Sequence, residues 1–400
     1  MKSLDKIFLL KVIFSLSLSF GVIYLSLSYS NWMVFWGFLN IPASEPFSDF
    51  KALNIFLEYK KNGFDPYFKN PTSDPIHAVL IYPSIWLHIF DYLDLNKDSN
   101  FKIATFLILF TYFFVLIDLL FRIENKVFKF LLIIFFFSTS NFLLIERLNI
   151  EIILFCLIYF ALINKSFLKQ FLFYSLALIL KIFPIFSIFM FIEKKKNFLF
   201  VLIFSIFYLF LFREEISLIK NNVIEYALIF AYGSLSISKA IYFYSTKFDL
   251  IINEENYFIF KNLLIFIIGA ISATIVFVNF SLNKKKKEFN ISLNEIMLLA
   301  GGGIYIGTFI FSANIDYRLV FLILTIPYIL NTEKKYFASS YVICLIICFN
   351  SLFFEGGDSY SKIYFLKASI IYLMKFVILF FNCYFFGKIC GKFVSLNFKY

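Results

Sequence analysis

An all-α, polytopic bundle of transmembrane helices is the fold class this sequence predicts, and three observations predict it. Hydrophobic residues make up 61% of the chain and charged residues only 16%, too little polarity to coat a water-soluble globule. Apolar runs of about 20 residues, the length that crosses a bilayer as a helix, recur from end to end. The lysines left over gather in some of the short connections and are scarce in others. The 62 phenylalanines accompany abundant Ile, Lys and Asn and carry no functional signal of their own. Residues 1–400 are therefore expected to form a single integral-membrane domain.

Apolar runs fall at 7–29, 101–121, 128–145, 149–163, 170–192, 198–212, 258–280, 291–312, 317–330, 336–353 and 363–386. The first is too long for a signal-peptide core and has no small-x-small cleavage site after it, so it is expected to remain as a first transmembrane helix. One set of connections is basic: Lys2 and Lys6; Arg122, Lys126 and Lys129; Lys165 and Lys169; Lys194 to Lys196; Lys284 to Lys287; Lys334 and Lys335; and Lys388, Lys392 and Lys399. In the others, mainly 30–100 and 213–256, acids predominate. The positive-inside rule puts the basic set in the cytoplasm, so a net charge of +11 is a topology signal and implies no nucleic-acid partner.

The run at 170–192 has basic connections on both sides, and a single crossing would export one of them. A two-armed hairpin turning near Lys181 and Pro184 resolves the conflict. Each arm would be about 17 Å long against a hydrocarbon core of roughly 30 Å, which puts the turn inside the membrane. About 11 to 12 segments result, with both termini cytoplasmic.

The first external loop, 30–100, reads as follows. From Ser48 to Gly63 the spacing predicts an amphipathic helix with Ser48 as N-cap, Phe50, Leu53, Phe56 and Leu57 on one face, and Lys60 and Lys61 before a glycine stop. Such a helix is expected to lie flat on the outer leaflet. In its first turn Asp49 complements the helix dipole whatever else it does. Asp65-Pro66-Tyr67 and Ile81-Tyr82-Pro83-Ser84 are turns, because proline holds the residue before it extended. Trp86 fits an interface belt. His77 and His88 show no ligand spacing and read as surface or packing residues.

Three further clusters fall at the outer face: Glu146 to Glu151, Lys181 with Pro184, and Asn314 to Arg318. Charged groups on tight turns at membrane depth are expensive and point to function, with capping and ion pairing as the ordinary alternative. Lys11, Lys102, Lys261 and Lys367 lie near helix ends and are expected to snorkel. Lys181 and Lys375 do not; an anionic ligand suits the first and an internal carboxylate the second. The second external segment, 213–256, which carries Tyr232 to Ser236, reads as a surface loop, with a lid as the other reading and shaping of the acceptor side as its expected task. The five cysteines lie in apolar runs without CxxC or Cys/His spacing and mark neither disulfides nor zinc.

In this order the motifs bring a family into view. The chain resembles the polytopic glycosyltransferases of the GT-C superfamily, especially glycosyltransferase family 87, the polyprenyl-phosphate-mannose-dependent α-mannosyltransferase type. The motifs are Ser48-Asp49-Phe50, Asp65-Pro66-Tyr67, Tyr82-Pro83, Arg147 with Asn149, Leu180-Lys181-x-x-Pro184 and Asn314-x-Asp316-Tyr317-Arg318, across roughly residues 1 to 335. Ser84 stands where the family often has a second proline, and Leu148 where it has glycine. The resemblance implies transfer of a hexose from a polyprenyl-phosphate sugar donor to a lipid or glycan acceptor at the extracytoplasmic face of the cell membrane, with inversion at the sugar carbon and no nucleotide site.

Such a reaction needs a base for the acceptor hydroxyl and cations for the departing phosphate, which leaves without protonation. Asp49 is the expected base. Lys181, Arg147 and Arg318 are the expected phosphate-side cations, and Asp65, Tyr67, Tyr82, Glu146, Asn149 and Asp316 the expected sugar or acceptor contacts. No organic cofactor is implied, and a divalent metal is compatible with the chemistry. Two rival classes share the location. A lipid-linked oligosaccharide polymerase or ligase would carry its main arginine-bearing loop late in the chain, where the external turns here are short. A transporter would show paired broken helices in two related halves, and the sequence has one break and no repeat.

Overall fold

A computed structural model describes residues 3–42, 45–68, 79–222, 231–247, 254–283, 291–332, 335–354 and 362–397. The readings at His77, Lys284 to Lys287, Lys334 and Lys399, and those at 223–230 and 248–253, lie outside the described residues.

The fold is all-α. In chain order its α-helices are α1 (Ser3–Ser26), α2 (Tyr29–Phe38), α3 (Ser48–Lys61), α4 (Ile85–Tyr92), α5 (Asp98–Arg122) and α6 (Lys126–Phe136). Then come α7 (Thr139–Arg147), α8 (Glu151–Ile163), α9 (Phe167–Leu180), α10 (Lys195–Leu211), α11 (Arg213–Asn222) and α12 (Ser234–Lys247). The last are α13 (Glu254–Asn283), α14 (Leu293–Phe311), α15 (Ile326–Leu330), α16 (Lys335–Phe349) and α17 (Lys362–Asn397). Tighter 3₁₀ helices occupy Phe183–Phe191, Asp316–Thr325 and Ser351–Phe354. The only strands among the described residues are β1 (Ala231–Tyr232) and β2 (Asn314–Ile315), paired antiparallel with Ala231 opposite Ile315.

Among the described residues five helices are long and apolar enough to cross a membrane: α1 from Lys6, α5, α13 from Asn256, α14 and the Ile363–Lys392 stretch of α17. The consecutive pair α6 and α7, bent by 52°, makes a sixth if it counts as one span. The remaining runs form shorter pieces, because an apolar run records burial and not helix continuity. The run at 170–192 is helical only to Leu180, extended at Lys181, and 3₁₀ from Phe183. The break expected near Lys181 is therefore present. The run at 317–330 is ten residues of 3₁₀ followed by five of α-helix, about 27 Å in all, the 3₁₀ rise stretching a short segment toward bilayer thickness.

The chain divides into two compact units, Met1–Phe137 with Asn141–Ile182 and Leu209–Asn222, and Ser138–Ser140 with Phe183–Tyr208 and Val223–Tyr400. In the first unit α1 packs on α5, α8 on both α5 and α9, and α3 on α4. The apolar face of α3 is the one read from its spacing: Phe50, Leu53, Phe56 and Leu57 are all buried. They are buried in protein, with the Phe50 ring 4.9 Å from Phe90 and 5.4 Å from Phe101. The helix is thus docked on α4 and α5, which corrects the expectation that this face lies on the leaflet. Lys11 is corrected as well. Instead of snorkelling it pairs with Asp118 of α5 at 2.6 Å, beside Arg122 and Tyr159.

In the second unit α17 lies along α13 and also contacts α14 and α16. The α13–α17 contact is close because α17 carries Gly387-x-x-x-Gly391. A Cβ on Gly387 would stand 2.3 Å from the carbonyl oxygen of Val276, and one on Gly391 2.3 Å from that of Phe280. Small residues four apart let two apolar helices bring their backbones together.

Candidate functional site

The first turn of α3 is fixed by backbone, not by a side-chain cap. Its N-cap is Phe47, in the left-handed region at φ +61°, rather than Ser48, which is the first helical residue. The Phe47 N–H donates to the carbonyl of Glu146 at 3.0 Å. This bond ties the start of α3 to the end of α7. Leu148, in the turn that follows α7, is also left-handed at φ +45°. A bulky residue there costs roughly 1–2 kcal/mol. One such residue thus sits two positions before Asp49 and the other between Arg147 and Asn149, and backbone held in sparsely populated conformations gathers at functional sites.

These two turns deliver a polar cluster. The Asp49 carboxylate accepts from Nδ2 of Asn149 at 2.5 Å and from the guanidinium of Arg147 at 3.3 Å. The Asn149 amide also reaches the Tyr82 hydroxyl at 3.5 Å, and its Oδ1 accepts the Glu151 N–H at 3.1 Å. Arg147 lies 3.7 Å from the carboxylate of Glu146. Lys181, where α9 ends, stands 4.7 Å from the centre of the Tyr82 ring and donates to Glu151 at 2.8 Å. Asp49, Tyr82, Glu146, Arg147, Asn149 and Lys181, drawn from four elements, are therefore one connected group in the first unit. Glu146, Asn149 and Glu151 are buried, whereas the side chains of Asp49 and Arg147 remain 20% and 30% exposed. The accessible edge is thus an acid beside a cation.

Asp65 and Tyr67 hang on the same turn by a structural link. Asp65 Oδ1 accepts the Tyr67 N–H at 2.9 Å, the usual bond of an Asx turn. The Tyr67 hydroxyl lies 2.9 Å from the Tyr82 carbonyl and 2.8 Å from Glu215. Burial and then Glu215 push the Tyr67 phenol far above its ordinary range, so it stays a neutral donor. Tyr67, expected as a sugar or acceptor contact, is instead a buried brace. Glu215 of α11 was missed by sequence reading. It also accepts the Ser84 N–H at 2.7 Å, and Asn222 at the other end of α11 bonds to the Tyr67 and Leu80 carbonyls at 2.9 and 3.3 Å. Glu151 was missed as a partner too, though it stands inside the motif. Trp86 is buried and donates to the Leu180 carbonyl at 3.0 Å, fixing the end of α9 next to Lys181; it is no belt residue. His88 is exposed, 3.4 Å from Lys60.

The second unit holds the Asn314–Arg318 turn. Asp316 and Lys375 are both fully buried and paired at 2.8 Å, as expected for Lys375. Ser351 also donates to Asp316, and Lys375 to the Ala231 carbonyl at 2.9 Å. Asp316, expected as a sugar or acceptor contact, is thus spent inside the protein. Arg318 bonds to Asn314 and stacks over the Phe183 ring at 4.7 Å. Within the second external segment, the described stretch Tyr232–Ser236 is not a surface loop. Tyr232, Ser234 and Ser236 are buried, and Ser234 donates to the Ile310 carbonyl at 2.6 Å. Gly233 is required at φ +106°, where a Cβ would stand 2.1 Å from the Ser312 carbonyl oxygen.

Among the described residues no group of three or more His, Cys, Asp or Glu is placed to hold a metal ion. Compared with known protein families, with curated proteins and with solved structures, the chain finds no match, and its function is to be read from the geometry of these residues.

Proposed function

We propose that this chain is a membrane glycosyltransferase that moves a hexose, mannose-like, from a polyprenyl-phosphate donor to a hydroxyl of a lipid or glycan acceptor at the extracytoplasmic face. The observation that carries this reading is the junction of Asp49 with Arg147 and Asn149, nearly a hundred residues away in sequence, held by left-handed backbone on both sides. Residues of the first unit alone support it.

In this mechanism Asp49, oriented by Asn149 and Arg147, takes the proton of the acceptor hydroxyl as its oxygen attacks the sugar carbon. The bond from that carbon to the phosphate oxygen breaks, and the phosphate leaves with the electron pair. A guanidinium has five N–H groups and an ammonium three, so Arg147 can serve Asp49 and the phosphate together, and Lys181 can serve Glu151 and the phosphate. No second carboxyl is needed to protonate a leaving phosphate, unlike glycoside hydrolysis.

The test uses purified protein in detergent with radiolabelled polyprenyl-phosphate mannose and a membrane lipid extract as acceptor. Wild type should label the extract, and Asp49→Asn should reduce the rate by about 10² to 10⁴, the usual weight of a general base. Transfer by Asp49→Asn at the wild-type rate, with equal protein present, would falsify the base assignment; no transfer by wild type from any polyprenyl-phosphate sugar would remove the function.

A further inference from the structure

In the first unit, where the end of α1 meets the start of α5, a cavity of about 320 Å³ is lined also by the first residue of α2 and by the stretch that leads into α3. That volume is close to ten waters at roughly 30 Å³ each, room for a single sugar ring. Phe47 and Phe101, both buried, give its wall an aromatic part. Two exposed ion pairs line it as well, Lys51 with Glu45 at 3.2 Å and Lys102 with Asp98 at 2.6 Å. Among the described residues these four are its only charged side chains, so the lining carries no net charge. Thr105, on the same wall, is wholly buried, and its hydroxyl has no hydrogen-bond partner. A threonine within a helix commonly bonds back to the carbonyl one turn earlier, as Thr111 of the same helix does to Leu107 at 2.8 Å. A buried hydroxyl left over in this way calls for a partner from outside the protein.

The charge balance sets the class of ligand. A phosphate would meet a carboxylate beside each ammonium, and an acyl chain would take water from both ion pairs and from Thr105 without replacing it. A ring bearing several hydroxyls suits both halves of each pair, because an ammonium donates to a hydroxyl oxygen and a carboxylate accepts a hydroxyl hydrogen. Exposed pairs of this kind hold together weakly, so their atoms can turn to a ligand without loss of the fold. The C–H face of the ring would lie against Phe47 and Phe101, the usual division of a small-molecule site into apolar wall and a few orienting polar groups. Lys51 is two residues from Asp49, about 200° around the helix, so the cavity and the Asp49–Arg147–Asn149 group lie on different faces of the first turn of α3. Since α1 and α5 are both long and apolar enough to cross a membrane, a lipid head group at that end of the pair would stand beside the cavity.

We propose that this cavity binds an uncharged sugar group, carried on a glycolipid or free, with Lys51 and Lys102 donating to its hydroxyls, Glu45 and Asp98 accepting from them, and Thr105 as the inner contact. The site stands apart from the glycosyl-transfer reading, and its test needs no enzyme activity. The full-length protein, in a polyoxyethylene detergent that contains no sugar, is titrated with monoglucosyl diacylglycerol, with methyl glucoside, with diacylglycerol and with phosphatidylglycerol. Binding is read by native mass spectrometry and by the shift in melting temperature.

A glucosyl probe should bind, and diacylglycerol and phosphatidylglycerol should not compete with it. Binding of the glucosyl lipid alone identifies a head-group site; equal binding of methyl glucoside identifies a site for the free sugar. Thr105→Val should weaken the interaction about three- to tenfold, the weight of one hydrogen bond, without lowering the melting temperature of the ligand-free protein, and Thr105→Ser should retain binding. Lys51→Met, at an exposed position, should weaken it by a similar factor and leave the core untouched. Thr111→Val, whose hydroxyl is satisfied within its own helix, should change nothing. Failure of both glucosyl probes to bind, equal binding of diacylglycerol, or tighter binding of phosphatidylglycerol would each overturn the proposal. So would unaltered binding by Thr105→Val and Lys51→Met, or equal weakening by Thr111→Val.

Discussion

At the scale of single residues, the Lys181–Glu151 pair separates support of the fold from use of a donor. Glu151 is fully buried and the Lys181 side chain nearly so. Removing one partner of such a pair strands a charge and typically costs about 3–5 kcal/mol, whereas replacing both with apolar groups is often neutral. Lys181→Ala should therefore lower the melting temperature and also raise the KM for the polyprenyl-phosphate donor. The double variant Lys181→Met/Glu151→Leu should recover most of the stability while the donor KM stays high. If the double variant regains both, Lys181 is a structural residue and the phosphate is held elsewhere. Asp49 differs in being partly exposed, so Asp49→Asn should be tolerated by the fold and read out in rate alone.

At the scale of elements, the turn from α7 to α8 sets two magnitudes against each other. Leu148 pays for a left-handed backbone, and glycine there would relieve roughly 1–2 kcal/mol. Yet its side chain is almost wholly buried, and losing a buried leucine typically costs about 2–5 kcal/mol. Packing wins, so Leu148→Gly should destabilise the protein by about 1–3 kcal/mol in thermal or denaturant unfolding. A gain in stability would instead mean that backbone strain dominates at this turn. The same turn shows what the sequence could reveal. The buried face of α3 was legible because Phe50, Leu53, Phe56 and Leu57 repeat at helical spacing. Its N-cap was not, because left-handed Phe47 is imposed by a bond to Glu146 that no local pattern announces. The grouping of Asp49, Arg147 and Asn149 could be guessed only through resemblance, since periodicity places residues on faces and never says which turns meet. The burial of Tyr232–Ser236 was not legible because serines look like loop. In the structure they satisfy themselves, Ser234 on a carbonyl of α14 and Ser236 on that of Tyr232.

At the scale of the whole molecule, charge distribution and helix length together predict where the proposed chemistry would lie. Lys165 lies in the connection from α8 to α9 and Lys169 in the first turn of α9, and the positive-inside rule assigns both to the cytoplasm. The Asn149–Glu151 turn and Lys181 lie at the opposite ends of these helices, which have only 13 and 14 residues, about 20 Å against a hydrocarbon core of roughly 30 Å. The site would then be recessed by about 10 Å, at the depth where a polyprenyl phosphate is still in its membrane. Cysteine labelling checks the orientation cleanly, because the five native cysteines are all buried and give little background. Asn62→Cys, on the exposed end of α3, should react with a membrane-impermeant maleimide in intact cells. Lys165→Cys, equally exposed, should react only after the membrane is permeabilised. Should Lys165→Cys be labelled from outside while Asn62→Cys is protected, the first unit is inverted, and Asp49 faces the cytoplasm, where the proposed extracytoplasmic transfer has no place.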